Sequence, residues 1–203
     1  MEVIYAVAKN GAFGRNGGLP WNEIRLDILH FATTTQRTKN PEKRNALIMG
    51  RRTYESIPER RMPLTGRMNI VVTSQPDMVP ASSDTFVAES LDAAYALARS
   101  HKDVERVFVM GGVRLIAEAL ERPETFRQYV TFIDHDFPAD VTAMVPHDMP
   151  DWRVAKCSKT SEIPVKIDEQ HVTCGFCFTT FVRRGLDLPE DAYESDGDPN
   201  PTK

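Results

Sequence analysis

The sequence predicts an α/β protein with a central mixed, mainly parallel sheet, antiparallel C-terminal strands and flanking helices. In the N-terminal part of the chain, short apolar runs rich in β-branched residues alternate with helical patterns, as in parallel sheets with crossover helices. From Gln128 onward the pattern becomes strand, loop and strand, which is typical of antiparallel hairpins. Two apolar runs end in glycine and continue at once into a helical pattern, which predicts a strand-to-helix junction at each.

Each predicted strand is an apolar run that a polar or glycine-containing turn follows. The run from Val107 to Met110 is apolar throughout, so we expect it to be a central strand that is buried on both faces. Residues 74–77 contain proline and aspartate and are predicted to turn. The predicted strands cover residues 3–8, 46–49, 68–73, 85–88, 107–110, 129–133, 152–158 and 172–183.

The predicted helices follow from apolar spacing and from capping signals. Ile24, Ile28 and Phe31 recur at helical spacing in the first helix. Ser90 is expected to cap the third helix, because its hydroxyl can accept from a backbone N–H of the first turn. Pro58 limits the second helix. The predicted helices cover residues 23–35, 51–56, 91–99 and 113–120.

Length and composition favour one domain and exclude several classes of partner. The chain has 203 residues, of which 41% are apolar, and this suits one domain with a sizeable core. We expect that domain to cover residues 1–185, followed by a disordered acidic tail with several prolines over residues 186–203. A formal net charge of -4 does not favour nucleic acid or an anionic membrane. No apolar run is long enough to span a bilayer.

The cysteines and the N-terminus indicate the compartment. The 3 cysteines all come late in the chain and do not suggest a disulfide framework. The N-terminus lacks the basic start of a secretory signal and is predicted to be a buried strand. We therefore expect a cytoplasmic protein.

A glycine-rich loop before the first predicted helix is one candidate site. The loop runs from Gly14 through Leu19-Pro20-Trp21, and Asp27 follows among apolar neighbours. Glycine lets a backbone approach a flat or charged ligand closely, and a carboxylate on an apolar face needs a cationic or proton-donating partner. These residues predict a pocket in which a loop covers a ligand and a buried acid binds a polar ring. The same residues also allow an ordinary turn followed by a surface aspartate.

The two strand–glycine–helix junctions are a second candidate site. They are Ile48-Met49-Gly50-Arg51-Arg52-Thr53 and Val109-Met110-Gly111-Gly112-Val113-Arg114. In open α/β sheets, ligands bind beyond the carboxyl ends of parallel strands, and N–H groups at a helix start attract phosphate. The junctions therefore predict a dinucleotide site, with positive charge from the arginines after each glycine. Alternatively, the glycines only end strands and the arginines are solvated; neither junction matches the Walker or Rossmann pattern.

Two further features have an ordinary alternative. Arg67 opens a predicted strand, where it can bind a carboxylate through two parallel hydrogen bonds or be a plain edge charge. Cys174-Gly175-Phe176-Cys177 has the spacing of redox motifs, but it lies in a strand-like run, whereas reactive thiolates favour helix N-termini. We expect these cysteines to be buried beside a glycine bulge. A zinc site would need more ligands than nearby His171 offers.

Taken in order, these segments resemble the dihydrofolate reductase family from about Ile4 to Arg183. The resemblance implies NADPH-dependent reduction of 7,8-dihydrofolate to 5,6,7,8-tetrahydrofolate, a step of one-carbon metabolism and nucleotide synthesis. Hydride would reach pterin C6, and N5 would gain a proton. The residues that carry the resemblance are Ala6-Val7-Ala8, the segment Gly14 to Trp21, Asp27, the segment Ile48 to Thr53, Ser56-Ile57-Pro58, Pro63-Leu64, Gly66-Arg67, Met110-Gly111-Gly112 and Tyr129-Val130-Thr131.

The resemblance also implies roles for individual residues. An ionised Asp27 would bind N3 and the 2-amino group of the pterin, with Thr131 hydrogen-bonded to it. Because Asp27 would hold the far edge of the ring, it could not reach N5, and a water would deliver that proton. Arg67 would bind the α-carboxylate of the glutamate tail, and residues 10–21 would close over the nicotinamide. The peptide bond between Gly111 and Gly112 would be cis.

The implied site divides into three sets. Catalysis is assigned to Asp27, Trp21 and Thr131, and no metal is expected. The substrate set is Ile4, Tyr5, Ala6, Asp27, Ile28, Phe31, Ile57, Arg61, Leu64, Arg67, Met110 and Thr131. The NADPH set is Ala6, Phe13, Gly14, Asn16, Gly17, Gly18, Leu19, Gly50, Arg51, Arg52, Thr53, Thr73, Ser74, Gln75, Gly111, Gly112, Val113, Arg114 and Leu115. We expect a monomer that binds the small-molecule substrate dihydrofolate and antifolate inhibitors, without nucleic acid or membrane.

Three residues depart from the family pattern. Ile116 stands where a tyrosine is usual, which removes a hydroxyl near the nicotinamide and predicts weaker cofactor binding or slower hydride transfer. Glu89 stands where a basic residue often lies near the 2′-phosphate, which predicts a weaker preference for NADPH over NADH. Ala12 replaces a frequent glycine and predicts a stiffer loop.

Two other functions remain open at this point. A riboflavin-pathway pyrimidine reductase shares the fold and NADPH, but Leu19-Pro20-Trp21 with Asp27 favours the folate enzyme. A non-catalytic binding protein that kept the fold is the second alternative, which the Ile116 departure allows.

Overall fold

The computed structural model describes residues 1–21, 24–145, 149–167 and 170–186. The predicted helix start at Glu23 and all of the predicted tail beyond Leu186 lie outside the described residues. The strands are β1 (Glu2–Ala8), β2 (Ala12–Gly14), β3 (Arg44–Gly50), β4 (Arg67–Val72), β5 (Thr85–Ala88), β6 (Val104–Gly111), β7 (Arg127–Asp134), β8 (Val141–Thr142), β9 (Trp152–Cys157), β10 (Ser161–Ile167) and β11 (Gln170–Arg183). The α-helices are α1 (Arg25–Gln36), α2 (Arg51–Ser56), α3 (Leu91–Ser100) and α4 (Val113–Glu121), and short 3-10 turns cover Glu59–Arg61 and Pro76–Met78.

The chain divides into two compact units. Residues 1–4 and 35–125 form the first, which we call the parallel unit, and the described residues among 5–34 and 126–186 form the second, the antiparallel unit. Strand β1 therefore contributes its first residues to one unit and its later residues to the other.

The parallel unit contains the strand order β1-β6-β3-β4-β5, and every pair in it is parallel. Its strands are buried on both faces, as β3 shows: Asn45 to Met49 are all buried. Helix α3 buries Leu91, Ala94 and Ala98, whose spacing places them on one helical face. Continuous apolar strands and one-faced helices are what a covered parallel sheet requires.

The antiparallel unit is organised around β11, a strand of 14 residues. One side of β11 pairs with β7, and the other side pairs first with β10 and then with β9. The later part of β1 lies beyond β7 in this order, where Lys9 N–H donates to the Ile133 carbonyl at 2.9 Å. The apolar core of this unit contains Ala8, Ala12, Trp21, Ile24, Ile133, Phe137, Val165, Cys174 and Phe176.

The predicted fold class is confirmed, and the predicted elements are present with ends that move by a few residues. Ser90 caps α3 as predicted, since its side chain accepts from Ala93 N–H at 3.1 Å. Three strands were not predicted. Strands β2 and β8 have only 3 and 2 residues, too few for a periodic pattern. Strand β10 contains Pro164, which lowers the strand signal and is tolerated because β10 lies at the edge of the sheet.

One local prediction was wrong. The pairing of β11 with β7 and β10 runs through Cys174 to Cys177 without interruption, so no bulge lies at Gly175. The irregularity of β11 lies instead between Thr180 and Phe181, opposite β9. Gly175 has a packing reason, because an added Cβ would lie 3.2 Å from Thr160 Cγ2.

No helix in the described part of the chain combines the length and apolar character needed to cross a membrane.

Candidate active site

Asp27 and Thr131 form a partly buried acid–hydroxyl pair in the antiparallel unit. Asp27 lies in the first turn of α1, and Thr131 lies in the middle of β7. The Thr131 hydroxyl donates to Asp27 Oδ1 at 2.5 Å, which joins residues 104 positions apart in sequence. The hydrogen bond expected from the resemblance is therefore present. It orients one carboxylate oxygen and leaves the other Oδ for a ligand.

Burial raises the pKa of Asp27 above its ordinary value, and the hydrogen bond from Thr131 opposes that rise. The surrounding protein disfavours the charged carboxylate because it replaces water by a medium of low polarity. A cationic or N–H-rich ligand beside Asp27 would remove that penalty. The pair is thus suited to bind a ring that offers adjacent N–H donors.

The antiparallel unit that contains Asp27 also contains apolar and aromatic residues of the predicted site. Trp21 is only 4% exposed and packs edge-on against Phe137, with ring centroids 5.4 Å apart. Its indole N–H is buried and has no hydrogen-bond partner among the described residues. A buried donor in that state is costly unless a ligand or a water accepts from it. Trp21 is therefore suited to a ligand-facing role.

Four more predicted substrate residues lie in this unit. Ile28 follows Asp27 on α1 and is 37% exposed, so an apolar surface is open next to the acid. Phe31 and Ala6 are half-buried. Tyr5 is buried, and its hydroxyl donates to Gln128 Oε1 at 3.0 Å, so its ring and not its hydroxyl is the group that a ligand could contact.

His30 is a residue of this region that the sequence reasoning missed. Its ring stacks on Phe178 with centroids 4.0 Å apart. Phe178 pairs in register with Thr131, the residue that hydrogen-bonds Asp27. Burial, and then the charge of Lys156, lower the pKa of His30 to about 4, so the imidazole is neutral at physiological pH. Its spacing of three residues from Asp27 on a helix was the signal that could have found it.

The glycine-rich loop is held to the segment around residues 137–143. Strand β2 pairs with β8, and Asn16 N–H donates to Asp140 Oδ2 at 2.8 Å. Between Arg15 and Gly18, two backbone hydrogen bonds of 3.0 Å close a two-residue turn. Asn16 and Gly17 both have positive φ, 52° and 77°, which is the conformation that an Asn-Gly hairpin turn requires. Leu19 then exposes 48% of its surface.

In the parallel unit, the two strand–glycine–helix junctions are neighbours. Met49 pairs in register with Gly111, and a Cβ added to Gly50 would lie 3.6 Å from Gly112 N. A Cβ on Gly111 would lie 3.1 Å from Thr53 Oγ1, and its φ of +148° is one that other residues rarely adopt. The peptide bond between Gly111 and Gly112 is cis, as expected. Small residues thus let the backbones at the adjoining starts of α2 and α4 approach each other closely.

The first turns of these helices are not capped by a side chain, since Gly50 and Gly112 hold the capping positions. Their backbone N–H groups are consequently available to a phosphate. Arg51 is partly committed elsewhere, because its Nη1 lies 2.6 Å from Glu55 Oε1. Arg52 and Arg114 are exposed. Thr53, Val113 and Leu115 lie in the same first turns, and Leu115 is buried.

The ends of β4 and β5 continue this edge of the parallel unit. Thr73 N–H donates to the Ala88 carbonyl at 2.9 Å, which brings the residues after both strands side by side. Thr73 Oγ1 accepts from Gln75 N–H at 3.0 Å and shapes the turn. Ser74 and Glu89 are both exposed there. A phosphate near Ser74 would therefore meet the charge of Glu89.

Arg67 is buried at the start of β4. Its Nη1 donates to Thr35 Oγ1 at 2.8 Å and its Nε to the Thr65 carbonyl at 3.1 Å. Burial lowers its pKa to about 10, so it stays a cation at physiological pH. A fixed, buried guanidinium is suited to bind a carboxylate, which makes the plain edge charge the weaker interpretation. Of the other predicted substrate residues in the parallel unit, Ile57, Leu64 and Met110 are half-buried, Ile4 is buried and Arg61 is exposed.

The described residues contain no cluster of three or more His, Cys, Asp or Glu side chains placed to hold a metal ion.

Comparison with known proteins decides the family. The family model described as dihydrofolate reductase matches residues 1–183. The chain belongs to the dihydrofolate reductase family. Among solved structures, Schistosoma mansoni dihydrofolate reductase resembles this chain with a TM-score of 0.71 and 33% identity, covering 90% of this chain and 97% of that one. The fold and the whole described chain up to β11 are thus those of the family.

Two curated relatives, one of similar length to this chain and one much longer, support this assignment. Dihydrofolate reductase of Gallus gallus is 34% identical over 173 residues, which is 84% of this chain and 89% of the relative. Bifunctional dihydrofolate reductase-thymidylate synthase 1 of Arabidopsis thaliana is 35% identical over 202 residues, or 97% of this chain. The chain spans only 37% of that longer relative. The similarity therefore concerns the dihydrofolate reductase activity.

The family establishes an enzyme that reduces dihydrofolate to tetrahydrofolate and uses a nicotinamide cofactor. Of the two alternatives left open by the sequence, neither the riboflavin-pathway reductase nor a non-catalytic binding protein is favoured, because the relatives are dihydrofolate reductases.

Proposed function

We propose that this protein reduces 7,8-dihydrofolate with NADPH, and that ionised Asp27 holds the pterin while hydride reaches C6 and N5 is protonated. The observation that carries the proposal is the Thr131–Asp27 hydrogen bond within a region that raises the pKa of Asp27. The nicotinamide, when bound, supplies the hydride. The residues of this chain bind, orient and exclude water.

Asp27 acts by orientation and electrostatics. Thr131 fixes Oδ1, so the carboxylate faces its ligand in one orientation and can accept from pterin N3 and the 2-amino group. A negative charge at that edge stabilises positive charge that develops in the ring as N5 is protonated. Asp27 cannot reach N5 at the same time, so a water delivers the proton. The buried indole N–H of Trp21 is a donor that such a water or the pterin could use.

The glutamate tail of the substrate is assigned to Arg67. Thr35 and the Thr65 carbonyl hold the guanidinium in one position, so little entropy is lost when a carboxylate binds. Ile57 and Leu64 would contact the benzoyl group, and both backbone groups of Leu64 are fixed by Asn69 at 3.1 Å.

The nicotinamide cofactor fits the glycine junctions of the parallel unit. Gly50 and Gly111 leave room for the close packing of Gly112 and Thr53 beside them, and the helix starts beyond them carry no side-chain cap. We propose NADPH as the preferred form, with Arg51 and Ser74 at the 2′-phosphate. Glu89, and the pairing of Arg51 with Glu55, both oppose that preference. The preference over NADH is therefore expected to be weaker than a fully basic phosphate site would give.

The remaining proposals concern setting and assembly. We propose a cytoplasmic monomer. The free thiols of all 3 cysteines, Cys157, Cys174 and Cys177, support a reducing compartment. Size-exclusion chromatography with light scattering would test the monomer.

The test of the main proposal is a steady-state assay with purified full-length protein. Absorbance of the reduced nicotinamide should fall only when dihydrofolate is present, faster with NADPH than with NADH. Asp27→Asn should abolish most of that rate, whereas Asp151→Asn, an exposed acid of the same unit, should leave it unchanged. Equal rates in the parent and Asp27→Asn would refute the role of Asp27, and equal use of NADH would refute the cofactor preference.

A further inference from the structure

Two of the three cysteines lie side by side in the structure, but they are not the pair that the sequence spacing suggests. Cys157 is the last residue of β9 and is exposed, whereas Cys177 lies on β11 and is half-buried. Cys157 pairs in register with Thr179, which is two residues beyond Cys177 and so lies on the same face of the sheet. Cys174 is buried in the apolar core of the antiparallel unit.

Thr179 brings the two thiols together. Its hydroxyl donates to Cys157 Sγ at 3.4 Å and lies 3.7 Å from Cys177 Sγ. The charge of Cys157 is one of the influences that raise the pKa of Cys177, which is consistent with two thiols placed on the same face of neighbouring strands. Both sulfur atoms therefore lie within 3.7 Å of one hydroxyl oxygen, that of Thr179.

We propose that Cys157 and Cys177 are a modification site, at which a low-molecular-weight disulfide such as oxidised glutathione converts the two thiols into a reversible intramolecular disulfide. The site is independent of the folate chemistry, and it replaces the Cys174/Cys177 spacing as the redox-active pair of the chain.

The chemistry requires two exchanges. Cys157, the exposed thiol, loses its proton and attacks one sulfur of oxidised glutathione; a mixed disulfide forms and one glutathione leaves as a thiol. Cys177 then loses its proton and attacks the Cys157 sulfur, and the second glutathione leaves as a thiol. In total, two protein S–H bonds are lost, one S–S bond forms and one glutathione disulfide becomes two thiols.

The order of the exchanges follows from the surroundings of each thiol. Burial raises the pKa of Cys177, and the charges of Cys157 and Asp134 raise it further, whereas the Thr179 hydrogen bond lowers it. A thiol that resists ionisation is the poorer first nucleophile. Exposed Cys157 therefore reacts first, and Cys177 resolves the mixed disulfide because it is adjacent.

Closure of the bond needs only a local shift. Disulfides join Cα atoms about 4.4–6.8 Å apart, whereas diagonal neighbours on antiparallel strands are about 7–8 Å apart. Cys157 ends β9, and the neighbouring Ser158 still exchanges hydrogen bonds with Phe178 of β11, so closure requires this end of β9 to shift along β11. Once formed, the bond would add a covalent link between β9 and β11, which already pair, and raise the Tm of the protein.

The test treats the full-length protein with oxidised glutathione and analyses it by thiol counting and non-reducing peptide mass spectrometry. The parent should lose two of its 3 thiols, give a linked peptide pair that contains Cys157 and Cys177, and return to the thiol form with dithiothreitol. Cys177→Ser should stop at a glutathione adduct on Cys157. Cys157→Ser should retain both of its remaining thiols, those of Cys174 and Cys177, after the same treatment. Cys174→Ala is the matched control and should form the same disulfide as the parent.

Several results would overturn the proposal: no loss of thiols in the parent, a glutathione adduct that persists on Cys157 without closure, or a link that involves Cys174 or a second molecule. The parent protein alone distinguishes these outcomes, so the proposal stays testable even if a variant fails to fold. None of these measurements depends on folate reduction. If the disulfide does not form, the proposed reductase function is unaffected. If the reductase assay fails, the disulfide experiment is unaffected.

Discussion

The Asp27 region and the glycine junctions prepare for a ligand in opposite ways. At Asp27, one half-buried side chain carries a charge that the protein disfavours, and Thr131 orients it. At Gly50, Gly111 and Gly112, the absence of side chains lets backbone pack closely at two helix starts that no side chain caps. The first region depends on polar side-chain groups that are present, and the second depends on side chains that glycine lacks. Substitutions that subtract a group should therefore damage the first, and substitutions that add one should damage the second.

The largest effect on catalysis is expected when the negative charge of Asp27 is removed. Asp27→Asn keeps the shape and the hydrogen-bond acceptor for Thr131 but removes the negative charge, and it should reduce kcat by about 10²–10³-fold, the usual cost of losing one group that stabilises developing charge. Steady-state kinetics with NADPH and dihydrofolate would measure this. A kcat within twofold of the parent, roughly the scatter of such comparisons, would contradict it.

The same variant should be more stable than the parent, with a defined pH dependence. Because the folded state raises the pKa of Asp27, the parent binds its proton more tightly folded than unfolded. The resulting stability is present below the unfolded value of 3.8 and is lost as pH rises through the folded pKa. The Tm of Asp27→Asn should therefore exceed that of the parent at alkaline pH, and the difference should vanish in acid. Thermal denaturation across pH, without ligand, would measure it.

The next largest effect is expected when a side chain is added at a glycine of the junctions. Gly111→Ala places a Cβ 3.1 Å from Thr53 Oγ1 on a residue with φ of +148°, and it should cost about 1–3 kcal/mol of unfolding free energy and weaken cofactor binding. Gly112→Ala is the matched control for the unfolding free energy only, since its φ is -77° and its nearest contact is an ordinary 3.5 Å. Urea unfolding and cofactor titration would compare them. Equal losses in both variants would mean that the space beside Thr53 is not decisive.

A smaller effect should follow from the orienting hydroxyl. Thr131→Val removes the hydrogen bond that lowers the pKa of Asp27, so that pKa should rise further, and dihydrofolate affinity should fall by about tenfold, the equivalent of one hydrogen bond to a charged group. Thr131→Ser keeps a donor and should restore both properties. Titration of Asp27 by NMR and substrate binding would check this. An unchanged Asp27 titration in the valine variant would show that the hydroxyl does not act on the acid.

The smallest effect concerns cofactor choice. Glu89→Arg should lower the KM for NADPH by about two- to fivefold and leave the KM for NADH nearly unchanged, since an exposed charge pair contributes little and salt screens it. Glu121→Arg adds the same charge at the end of α4 and serves as the control. The difference should shrink at high salt. A fall in KM that is equal for both cofactors would point away from the 2′-phosphate.

The sequence predicted structure well where the structure depends on residues close together in the chain. The apolar runs of β3 and β6 and the glycines after them identified two strand-to-helix junctions, and Asn16-Gly17 formed the turn that this pair favours. Strands β2, β8 and β10 could not be predicted, because two are very short and the third contains Pro164. His30 was missed because its role depends on Phe178, a residue far along the chain.

By itself, the sequence determined the α/β class, the elements of the parallel unit and, through its resemblance to a family, which residues to examine. Only the tertiary structure decided that burial raises the pKa of Asp27, that His30 stacks on Phe178, and that Thr179 contacts both Cys157 and Cys177. The physical reason is that periodicity and turn chemistry act over a few residues. Strand pairing and the loss of water around a group are set by residues far apart in the chain, and no local pattern records which of them will meet.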